Sequence, residues 1–472
     1  MRHTKIICTL GPASNNEETM RQLLLAGMNV ARLNFSHGTH EGHGATIDLF
    51  RKVRDELGVP AAVLLDTKGP EIRLGDFADT VTVTAGQSYT FTTLPCEGTA
   101  ERCFITYAGL PHDVTPGGNI LVDDGKLSFR VIECSDTEIH CKVTVGGALS
   151  SHKGVNVPDV KLELPFLSEK DKSDLLFGIE KDVDYVAASF TRRGEDVQEI
   201  REFLASHGGE RIRIIAKIEN TEGVEKFEEI LKLADGIMVA RGDMGVEVPF
   251  ERLPGIQKMM IRSCIRSGKT VITATQMLDS MENNHRPTRA EISDVANAVY
   301  DGSSAVMLSG ETAAGKYPAE SVRVMARIAE RAEQDAIAAG VFTRFRLDKL
   351  HYDQTNAVCA AACTLAEQVN ATAIVADTST GRAARRVAKF RPVQTILAAT
   401  PDQKVYHQLA LCWGAYPLMV PSVDSVDELF RHALAEARRT ESVQTGDTVV
   451  LTAGIPLKTS GSTNMLKVQV VE

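Results

Sequence analysis

Short apolar segments recur along the first two thirds of the chain, and polar or amphipathic segments separate most of them. The eight apolar runs are KIICTLG, NVARLNFS, AAVLLDT, DYVAASF, RIIAKIE, GIMVARGD, TVITATQM and SAVMLSG. Intervening segments such as EETMRQLLLAG and RGEDVQEIREFLASHG place their apolar residues at helical spacing. Strand-like runs that alternate with helices in this way predict a parallel (β/α)8 TIM barrel.

One interval interrupts this alternation. Residues 70–167 consist of short β-like runs separated by turn residues, namely VTVTAG, SYTFTT, NILVDDG, LSFRVIE and EIHCKVTVGG. KGP stands at the start of the interval and LELP at its end, and such residues are typical of the boundaries between structural units. The pattern predicts a small β-barrel domain inserted after the third strand of the large barrel, which is itself built from residues 1–69 and 168–344.

The last part of the chain, residues 345–472, alternates again and predicts a separate C-terminal α/β domain. Its strand-like runs are TAIVAD, TILAAT, YPLMV, DTVVLTAG and LKVQVV. We expect a mostly parallel sheet with one or more antiparallel edges, which makes the whole chain a member of the α/β class. Cys359 and Cys363 lie one helical turn apart in an alanine-rich segment. We interpret them as helix-packing residues rather than as metal ligands or a redox pair.

Composition narrows the possible functions. The 472-residue chain carries a formal net charge of -10, which argues against a nucleic acid as its partner. No uncharged segment is long enough to cross a membrane, and no targeting segment is evident. Nine cysteines without a CxxC pair fit a reducing compartment. We therefore expect a multidomain cytoplasmic protein with no nucleic-acid or membrane partner.

Polar residues stand where the predicted barrel strands end. In barrels of this kind the chemistry gathers at the C-terminal ends of the strands. Lys217 and Glu219 are two positions apart and therefore share one face of a strand, which on its own fits an ordinary salt bridge. Six strands that all end in such side chains favour a catalytic site instead. The residues are Arg32, Asn34, Ser36, Asp66, Thr67, Lys217, Glu219, Arg241, Asp243, Thr275, Gln276, Ser309 and Glu311.

The types of these residues indicate their chemistry. Glu219 and Asp243 supply hard oxygen ligands, which suit Mg²⁺ or Mn²⁺ better than zinc. Lys217 and Arg32 add positive charge where a phosphoryl group would bind. Gly242 allows backbone N–H groups to approach a carboxylate closely. A further oxygen-rich cluster carries little charge and is plausible for a monovalent cation; it consists of Asn34, Ser36, Asp66 and Thr67.

Nine motifs in order carry a resemblance to one family. They are TKIICTLGPAS, NVARLNFSHG, LLDTKGPEIR, KGVNVP, AKIENTEG, GIMVARGDMGVE, ITATQML, RPTRAEISDVANAV and VMLSGETAAGKYP. With these motifs the chain resembles the pyruvate kinases across essentially its whole length. The start close to the first barrel strand and the end soon after the last strand resemble the compact bacterial form.

The resemblance implies phosphoryl transfer from phosphoenolpyruvate to ADP in glycolysis, giving pyruvate and ATP. It implies that Glu219 and Asp243 hold the divalent metal, that Lys217 and Arg32 bind the phosphoryl group, and that Gly242, Asp243 and Thr275 hold the substrate carboxylate. Either Thr275 or a water molecule protonates the enolate. Arg73, Lys153 and His37 approach the nucleotide, and the inserted domain becomes a lid that excludes water. The cluster Asn34, Ser36, Asp66 and Thr67 matches the potassium site of the family. Glu71 is the acidic variant that accompanies potassium dependence.

The C-terminal domain carries two segments that could bind a phosphorylated effector. The first comprises Thr378, Ser379, Thr380, Gly381 and Arg382, and the second comprises Ser460, Gly461 and Ser462. The family resemblance implies an allosteric sugar-phosphate or nucleotide effector here and a homotetramer. An ordinary strand–turn–helix remains the alternative, because the first segment has fewer hydroxyl groups than the usual sugar-bisphosphate loop.

Other interpretations of the chain remain open. A lyase acting on the enolate of pyruvate would share the barrel mouth but would need no lid, and a catalytically silent sensor would keep only the effector site. GETAAGKY, residues 310–317, nearly matches a phosphate-binding P-loop, but Tyr317 occupies the position of the Ser or Thr that binds magnesium. His37, His40 and His43 in HGTHEGH are interpreted as surface residues rather than as a metal cluster.

Overall fold

The computed structural model describes residues 1–158, 160–342, 353–457 and 463–472. The strands in chain order are β1 (Lys5–Thr9), β2 (Val30–Asn34), β3 (Ala62–Asp66), β4 (Ile72–Arg73), β5 (Val81–Val83), β6 (Ser88–Thr92), β7 (Arg102–Phe104), β8 (Asn119–Val122), β9 (Leu127–Cys134), β10 (Glu138–Val145), β11 (Gly147–Leu149), β12 (Gly154–Asn156), β13 (Tyr185–Ala188), β14 (Arg213–Ile218), β15 (Gly236–Ala240), β16 (Thr270–Ala274), β17 (Ala305–Leu308), β18 (Ala373–Asp377), β19 (Thr395–Thr400), β20 (Ala415–Met419), β21 (Thr448–Ala453) and β22 (Met465–Val470).

The helices follow the strands in the order that the apolar pattern predicts. They are α1 (Glu17–Ala26), α2 (His40–Leu57), α3 (Leu110–Asp113), α4 (Glu169–Glu180), α5 (Gly194–Ser206), α6 (Thr221–Glu225), α7 (Phe227–Leu233), α8 (Arg241–Glu247), α9 (Leu253–Ser267), α10 (Arg289–Asp301), α11 (Gly310–Ala313), α12 (Pro318–Ala338), α13 (Gln354–Gln368), α14 (Arg382–Lys389), α15 (Gln403–Gln408) and α16 (Val426–Arg439). Short 3-10 helices lie at Phe250–Arg252, Asp279–Glu282 and Leu409–Leu411.

The eight apolar runs form one closed parallel barrel in the order β1-β17-β16-β15-β14-β13-β3-β2. Strands such as β3 and β15 are buried along their whole length, because side chains inside the barrel and helices outside it cover both faces. This explains why the strands read as continuous apolar runs rather than as alternating ones. The predicted (β/α)8 barrel is confirmed.

The inserted domain lies between β3 and α4 and is entirely separate from the barrel sheet. Its main sheet has the order β4-β12-β8-β9-β10-β6-β7, and β11 pairs with β5. Tyr89, Phe91 and Phe129 pack against each other at its centre, with ring centroids 5.0 to 5.3 Å apart. The domain therefore has a hydrophobic core of its own, which supports the prediction of an inserted all-β unit.

The C-terminal domain contains a five-stranded sheet in the order β20-β19-β18-β21-β22. All neighbours are parallel except β22, which runs antiparallel to β21 at one edge. Cys359 and Cys363 lie in α13 and pack in the apolar layer against this sheet, as predicted. The predicted domain boundary between residues 344 and 345 lies outside the described residues.

The C-terminal domain packs against the end of the barrel where the strands begin. Lys5, the first residue of β1, donates from Nζ to the Ala415 carbonyl at 2.6 Å. Arg391 donates to the Gly302 carbonyl at 2.7 Å. This packing leaves the opposite end of the barrel, where the strands end, facing the inserted domain. No helix in the described part of the chain is long and apolar enough to cross a membrane.

Candidate active site

Lys217 lies at the centre of the barrel mouth. It stands near the end of β14, and its ammonium group meets Ser189 Oγ at 2.7 Å, Glu219 Oε1 at 3.0 Å and Asp66 Oδ1 at 3.1 Å. Ile218 points the other way into the core, as the period of a strand requires. Burial alone would lower the pKa of Lys217, but the carboxylates of Asp66 and Glu219 outweigh it and raise the pKa. The two carboxylates therefore favour the protonated form of Lys217.

Arg32 joins the same network from β2. Its Nε donates to Asp66 Oδ2 at 2.6 Å, and its Nη1 donates to Thr9 Oγ1 at 2.8 Å. Burial would raise the pKa of Asp66, but Arg32 and Lys217 together hold it below its usual value. One buried carboxylate thus holds two cations side by side. An arriving phosphoryl group can bind both cations by taking the place of this shared partner.

Glu219 and Asp243 form the carboxylate pair expected at the ends of β14 and β15. Burial raises the pKa of Glu219 to about 7 and also raises the pKa of Asp243. Glu219 Oε2 accepts a hydrogen bond from the Phe190 N–H at 2.6 Å. Two desolvated, interacting carboxylates are costly unless a cation neutralises them. Their oxygen donors fit Mg²⁺ or Mn²⁺, which take one or two carboxylates and complete their shell with water and substrate oxygens.

Thr275 lies beside this pair because its backbone adopts an unusual conformation. Its φ angle is 69°, in the left-handed region that non-glycine residues rarely occupy. Thr275 Oγ1 accepts a hydrogen bond from the Gly242 N–H at 2.8 Å and donates to the Ala274 carbonyl at 2.6 Å. Arg241 donates to the Thr275 carbonyl at 2.7 Å and supports the turn. The hydroxyl of Thr275 is therefore next to Gly242 and Asp243, at the position predicted for the substrate carboxylate.

The four oxygen-bearing residues of the predicted potassium cluster lie at or just after the ends of β2 and β3. Asn34 is the register partner of Asp66, and Asn34 Oδ1 accepts from the Ser36 N–H at 3.1 Å. Thr67 Oγ1 accepts from the Ser189 N–H at 3.1 Å. One carboxylate among neutral oxygens is a donor set that suits a monovalent cation better than a divalent one.

A cavity of about 900 Å³ lies between the barrel mouth and the inserted domain. Arg73 and Lys153 reach it from the inserted domain, while His37 and Asp243 reach it from the barrel. Arg73 forms an ion pair with Glu71 at 2.7 Å, and Lys153 forms one with Asp123 at 2.9 Å. The residues predicted for the nucleotide thus share one cleft with a predicted metal ligand.

Several residues of the site were missed by sequence reasoning. Ser189 and Phe190 follow β13 and contact Lys217 and Glu219, and Thr9 ends β1 and contacts Arg32. These are the two barrel strands for which no polar end was assigned. Asp124 lies at the tip of a hairpin of the inserted domain and lines the large cavity. Ser189 and Thr9 could have been predicted from their positions, because each lies at the end of a barrel strand, as the other candidate residues do.

The GETAAGKY segment, which nearly matches a P-loop, has a structural role. In GETAAGKY, Glu311 accepts hydrogen bonds from the Leu278 and Ser309 N–H groups at 3.0 and 2.6 Å, so it joins two loops. Thr288 and Glu291 form a capping box at the start of α10. Among the described residues no group of three or more His, Cys, Asp or Glu side chains has the geometry of a metal site.

The first predicted effector segment follows β18 and opens α14. Thr378, Ser379, Thr380 and Arg382 line a smaller cavity of about 90 Å³, and Gly381 makes the turn with a φ angle of 75°. Asp377 also lines this cavity, and burial raises its pKa to about 6. The second segment, with Ser460, Gly461 and Ser462, lies outside the described residues.

The cations and carboxylates of the mouth define a (β/α)8-barrel enzyme that handles anionic substrates. Residues 1–322 match the barrel domain of pyruvate kinase, and residues 356–469 match its alpha/beta domain. A pyruvate kinase of Clostridium acetobutylicum is 49% identical over 477 residues, covering 100% of both chains. That of Geobacillus stearothermophilus is 48% identical over 473 residues, covering 100% of this chain and 80% of its own. That of Clostridium perfringens is 47% identical over 475 residues, covering 99% of this chain and 100% of its own. The chain belongs to the pyruvate kinase family and is a phosphotransferase.

Proposed function

We propose that this chain transfers the phosphoryl group of phosphoenolpyruvate to ADP with Lys217, Arg32 and Thr275 at the reacting centre. The family relationship over the full chain supports the reaction. The observation that carries the residue assignment is the buried network in which Asp66 holds Lys217 and Arg32 beside the pair of Glu219 and Asp243. This network places two cations beside two carboxylates whose pKa values are raised by burial.

Phosphoryl transfer needs positioning and charge neutralisation more than covalent help from the protein. Lys217 and Arg32 bind the oxygens of the phosphoryl group as it moves between donor and acceptor. Asp66 holds both cations side by side before the substrate binds, so the phosphoryl group meets them as a pair. Arg32 and Lys217 hold the pKa of Asp66 below its usual value, so the carboxylate that pairs with both cations stays ionised at neutral pH.

Glu219 and Asp243 hold the divalent metal, Mg²⁺ or Mn²⁺. When bound, the metal neutralises charge on the phosphate and on the enolate oxygen of the substrate. The Gly242 backbone and the Thr275 hydroxyl orient the substrate carboxylate against this pair. Either Thr275 or a water molecule next to it delivers the proton that converts the enolate to pyruvate.

Arg73, Lys153 and His37 bind the phosphates of the nucleotide. Two of these residues belong to the inserted domain and one to the barrel, so a nucleotide in the cavity contacts both walls. Closure of the inserted domain over the mouth would exclude water, which otherwise competes with ADP for the phosphoryl group. The domain therefore acts as a lid.

The cluster of Asn34, Ser36, Asp66 and Thr67 binds K⁺ next to the phosphoryl site.

Thr378 to Arg382, together with Ser460 to Ser462, bind a phosphorylated small-molecule effector, and the chain assembles as a homotetramer. Support for the effector is the cavity after β18, which presents hydroxyl groups and Arg382 at the start of a helix. The cytoplasmic location stays a prediction.

The test is pyruvate release from phosphoenolpyruvate with Mg²⁺, measured with and without ADP and with K⁺ or a bulky organic cation at equal ionic strength. Rapid release that requires both ADP and K⁺ supports the proposal. Release without ADP indicates the lyase, and no release under any condition indicates the silent sensor. Glu71→Lys is the matched variant, because a lysine there supplies the charge of the monovalent cation and is expected to remove the K⁺ requirement.

A further inference from the structure

Two histidines of the HGTHEGH motif, His40 and His43, have different environments. His43 lies in the first turn of α2, and its Nε2 donates to the His37 carbonyl at 2.7 Å. Its ring stacks on Phe35, with centroids 4.1 Å apart and planes 20° apart. His40, three residues earlier, stacks on Phe177 and meets Asp174 at 2.7 Å. His43 hydrogen-bonds to the backbone of the segment that leaves β2, whereas His40 reaches only the Phe35 ring, with centroids 6.1 Å apart.

That segment is the one that carries two of the proposed ligand contacts. Ser36 belongs to the proposed potassium cluster, and His37 lines the proposed nucleotide cavity. The segment turns tightly, since Ser36 N–H donates to Asn34 Oδ1 and His37 N–H donates to the Asn34 carbonyl at 3.3 Å. These turn bonds fix the start of the segment. Its far end, at His37, is held by the hydrogen bond from His43 in α2.

The fit around the His43 ring is close. Gly38 has a φ angle of 78°, and a side chain there would meet His43 Nε2 at 3.0 Å. The backbone at residues 37 and 38 therefore passes directly against the ring edge. Phe35, 1% exposed, anchors the ring face to the barrel core. The His43 ring thus connects the buried Phe35 side chain to the backbone carbonyl of His37, a residue exposed at the surface.

We propose that His43 is a positioning residue for ADP and K⁺, because its ring anchors the backbone that presents Ser36 and His37. The inference rests on the proposed function of these two residues. It assigns a role to His43 alone, and neither substrate nor cation touches it. Without its N–H donor the His37 carbonyl loses its partner, and residues 36–38 gain conformations in which the ligands are misplaced.

The sharpest variant is His43→Phe, which keeps an aromatic ring on Phe35 but has no donor for the His37 carbonyl. His43→Gln is the rescue variant, because its side-chain amide supplies an N–H at similar reach. His40→Phe is the matched control, since it makes the same change three residues away on the same helix. Melting temperature reports the structural cost of each variant.

Two readouts test positioning. Calorimetric titration with Mg-ADP gives the ADP affinity, and the rise of melting temperature with K⁺, compared with a bulky organic cation, gives cation binding. For His43→Phe we expect ADP and K⁺ affinities to fall about fivefold, the size of one lost hydrogen bond. The KM for phosphoenolpyruvate should change less than twofold. His43→Gln should recover most of the loss, and His40→Phe should show none.

The proposal is overturned if His43→Phe binds ADP and K⁺ as the wild type does, or if His40→Phe weakens both equally, or if His43→Gln is no better than His43→Phe. Arg73→Met separates this failure from that of the proposed function. If Arg73→Met leaves ADP affinity unchanged, the assigned nucleotide site is wrong, whatever His43 does. Should His43→Phe fail to fold, the comparison of His43→Gln with His43→Leu decides the same question.

Discussion

Both ends of the barrel bury charged side chains, but the charges have different kinds of partner. At the mouth, Lys217 and Arg32 are held by the side chain of Asp66. At the opposite end, Lys5 is held by the backbone carbonyl of Ala415, and Arg391 is held by the backbone carbonyl of Gly302 and the hydroxyl of Ser304. A carboxylate partner can be exchanged for a substrate, whereas a backbone carbonyl in a packed interface cannot. Burial of charge alone therefore does not identify a site.

The single strand β14 carries a charged side chain to each end of the barrel. Arg213 at its start contacts Asp235 at 3.2 Å, Gln408 at 3.0 Å and the Thr380 carbonyl at 3.1 Å, so it joins the barrel to the C-terminal domain. Lys217 near its end contacts two carboxylates and the Ser189 hydroxyl. The same strand thus fixes the domain packing at one end and presents a reactive cation at the other.

Removal of the cation at the mouth should have the largest effect on activity. Lys217→Met removes the charge that stabilises the phosphoryl group in transfer, and we expect kcat to fall by a factor on the order of 10³. The measurement is pyruvate formation at saturating phosphoenolpyruvate and ADP. Circular dichroism and melting temperature must show a folded protein. A kcat within tenfold of the wild type would contradict the role of Lys217.

Removal of a cation at the opposite end should affect stability instead. Arg391 also lies over the Trp413 ring, 4.4 Å from its centroid. Arg391→Met leaves the Gly302 carbonyl without this donor, so we expect the free energy of unfolding to fall by roughly 1–3 kcal/mol. Urea unfolding measures this loss, and kcat should stay within twofold of the wild type. A large fall in kcat in a fully folded variant would break the contrast between the two ends.

Sequence patterns predicted the strands and their ends because both depend on local periodicity. Buried strands give apolar runs, and Lys217 and Glu219 share a face because of strand geometry alone. The patterns could not predict how Asp66 is used. It was assigned only to the potassium cluster, but it also pairs with Arg32 and Lys217, and that pairing depends on which strands are neighbours across the barrel.

Ser189 and the packing of Lys5 were unpredictable for a related reason. Ser189 ends an unremarkable run, AASF, and its importance comes from Lys217, a residue far along the chain. Lys5 and its partner Ala415 are separated by 410 residues and lie in different domains. No local sequence pattern encodes such a contact. The packing of the C-terminal domain against the barrel was therefore harder to predict than the residues of the mouth.

A third variant tests whether the inserted domain contributes to binding of ADP but not of phosphoenolpyruvate. Arg73 belongs to the inserted domain and contacts Glu71 and the His152 carbonyl, but not the network around Asp66. We expect Arg73→Met to raise the KM for ADP about tenfold, the loss of one charge-assisted hydrogen bond, while the KM for phosphoenolpyruvate stays within twofold. Initial rates with each substrate varied in turn measure both constants. Equal changes in both would show that the two walls of the cavity act as one unit.

The smallest predicted effect is a pH dependence of stability that comes from Lys5. Burial lowers the pKa of Lys5 to about 8, well below the value of 10.5 expected for an unfolded chain. Between these two pH values the unfolded chain holds a proton that the folded protein has released, so the contribution of Lys5 to stability rises with pH. Below pH 8 both states are protonated, and the cost of burying the charge is fully present.

Lys5→Met removes this titration while keeping an unbranched side chain of similar length. Urea unfolding of both proteins at pH 7.5 and pH 9.5 gives the change in the free energy of unfolding for each. Stability should increase more for the wild type than for Lys5→Met over this interval, and kcat should be equal for the two proteins at pH 7.5. If both proteins respond equally to pH, Lys5 keeps its proton in the fold. Its bond to the Ala415 carbonyl then compensates for burial, and the end of the barrel away from the mouth carries a protonated lysine at both pH values.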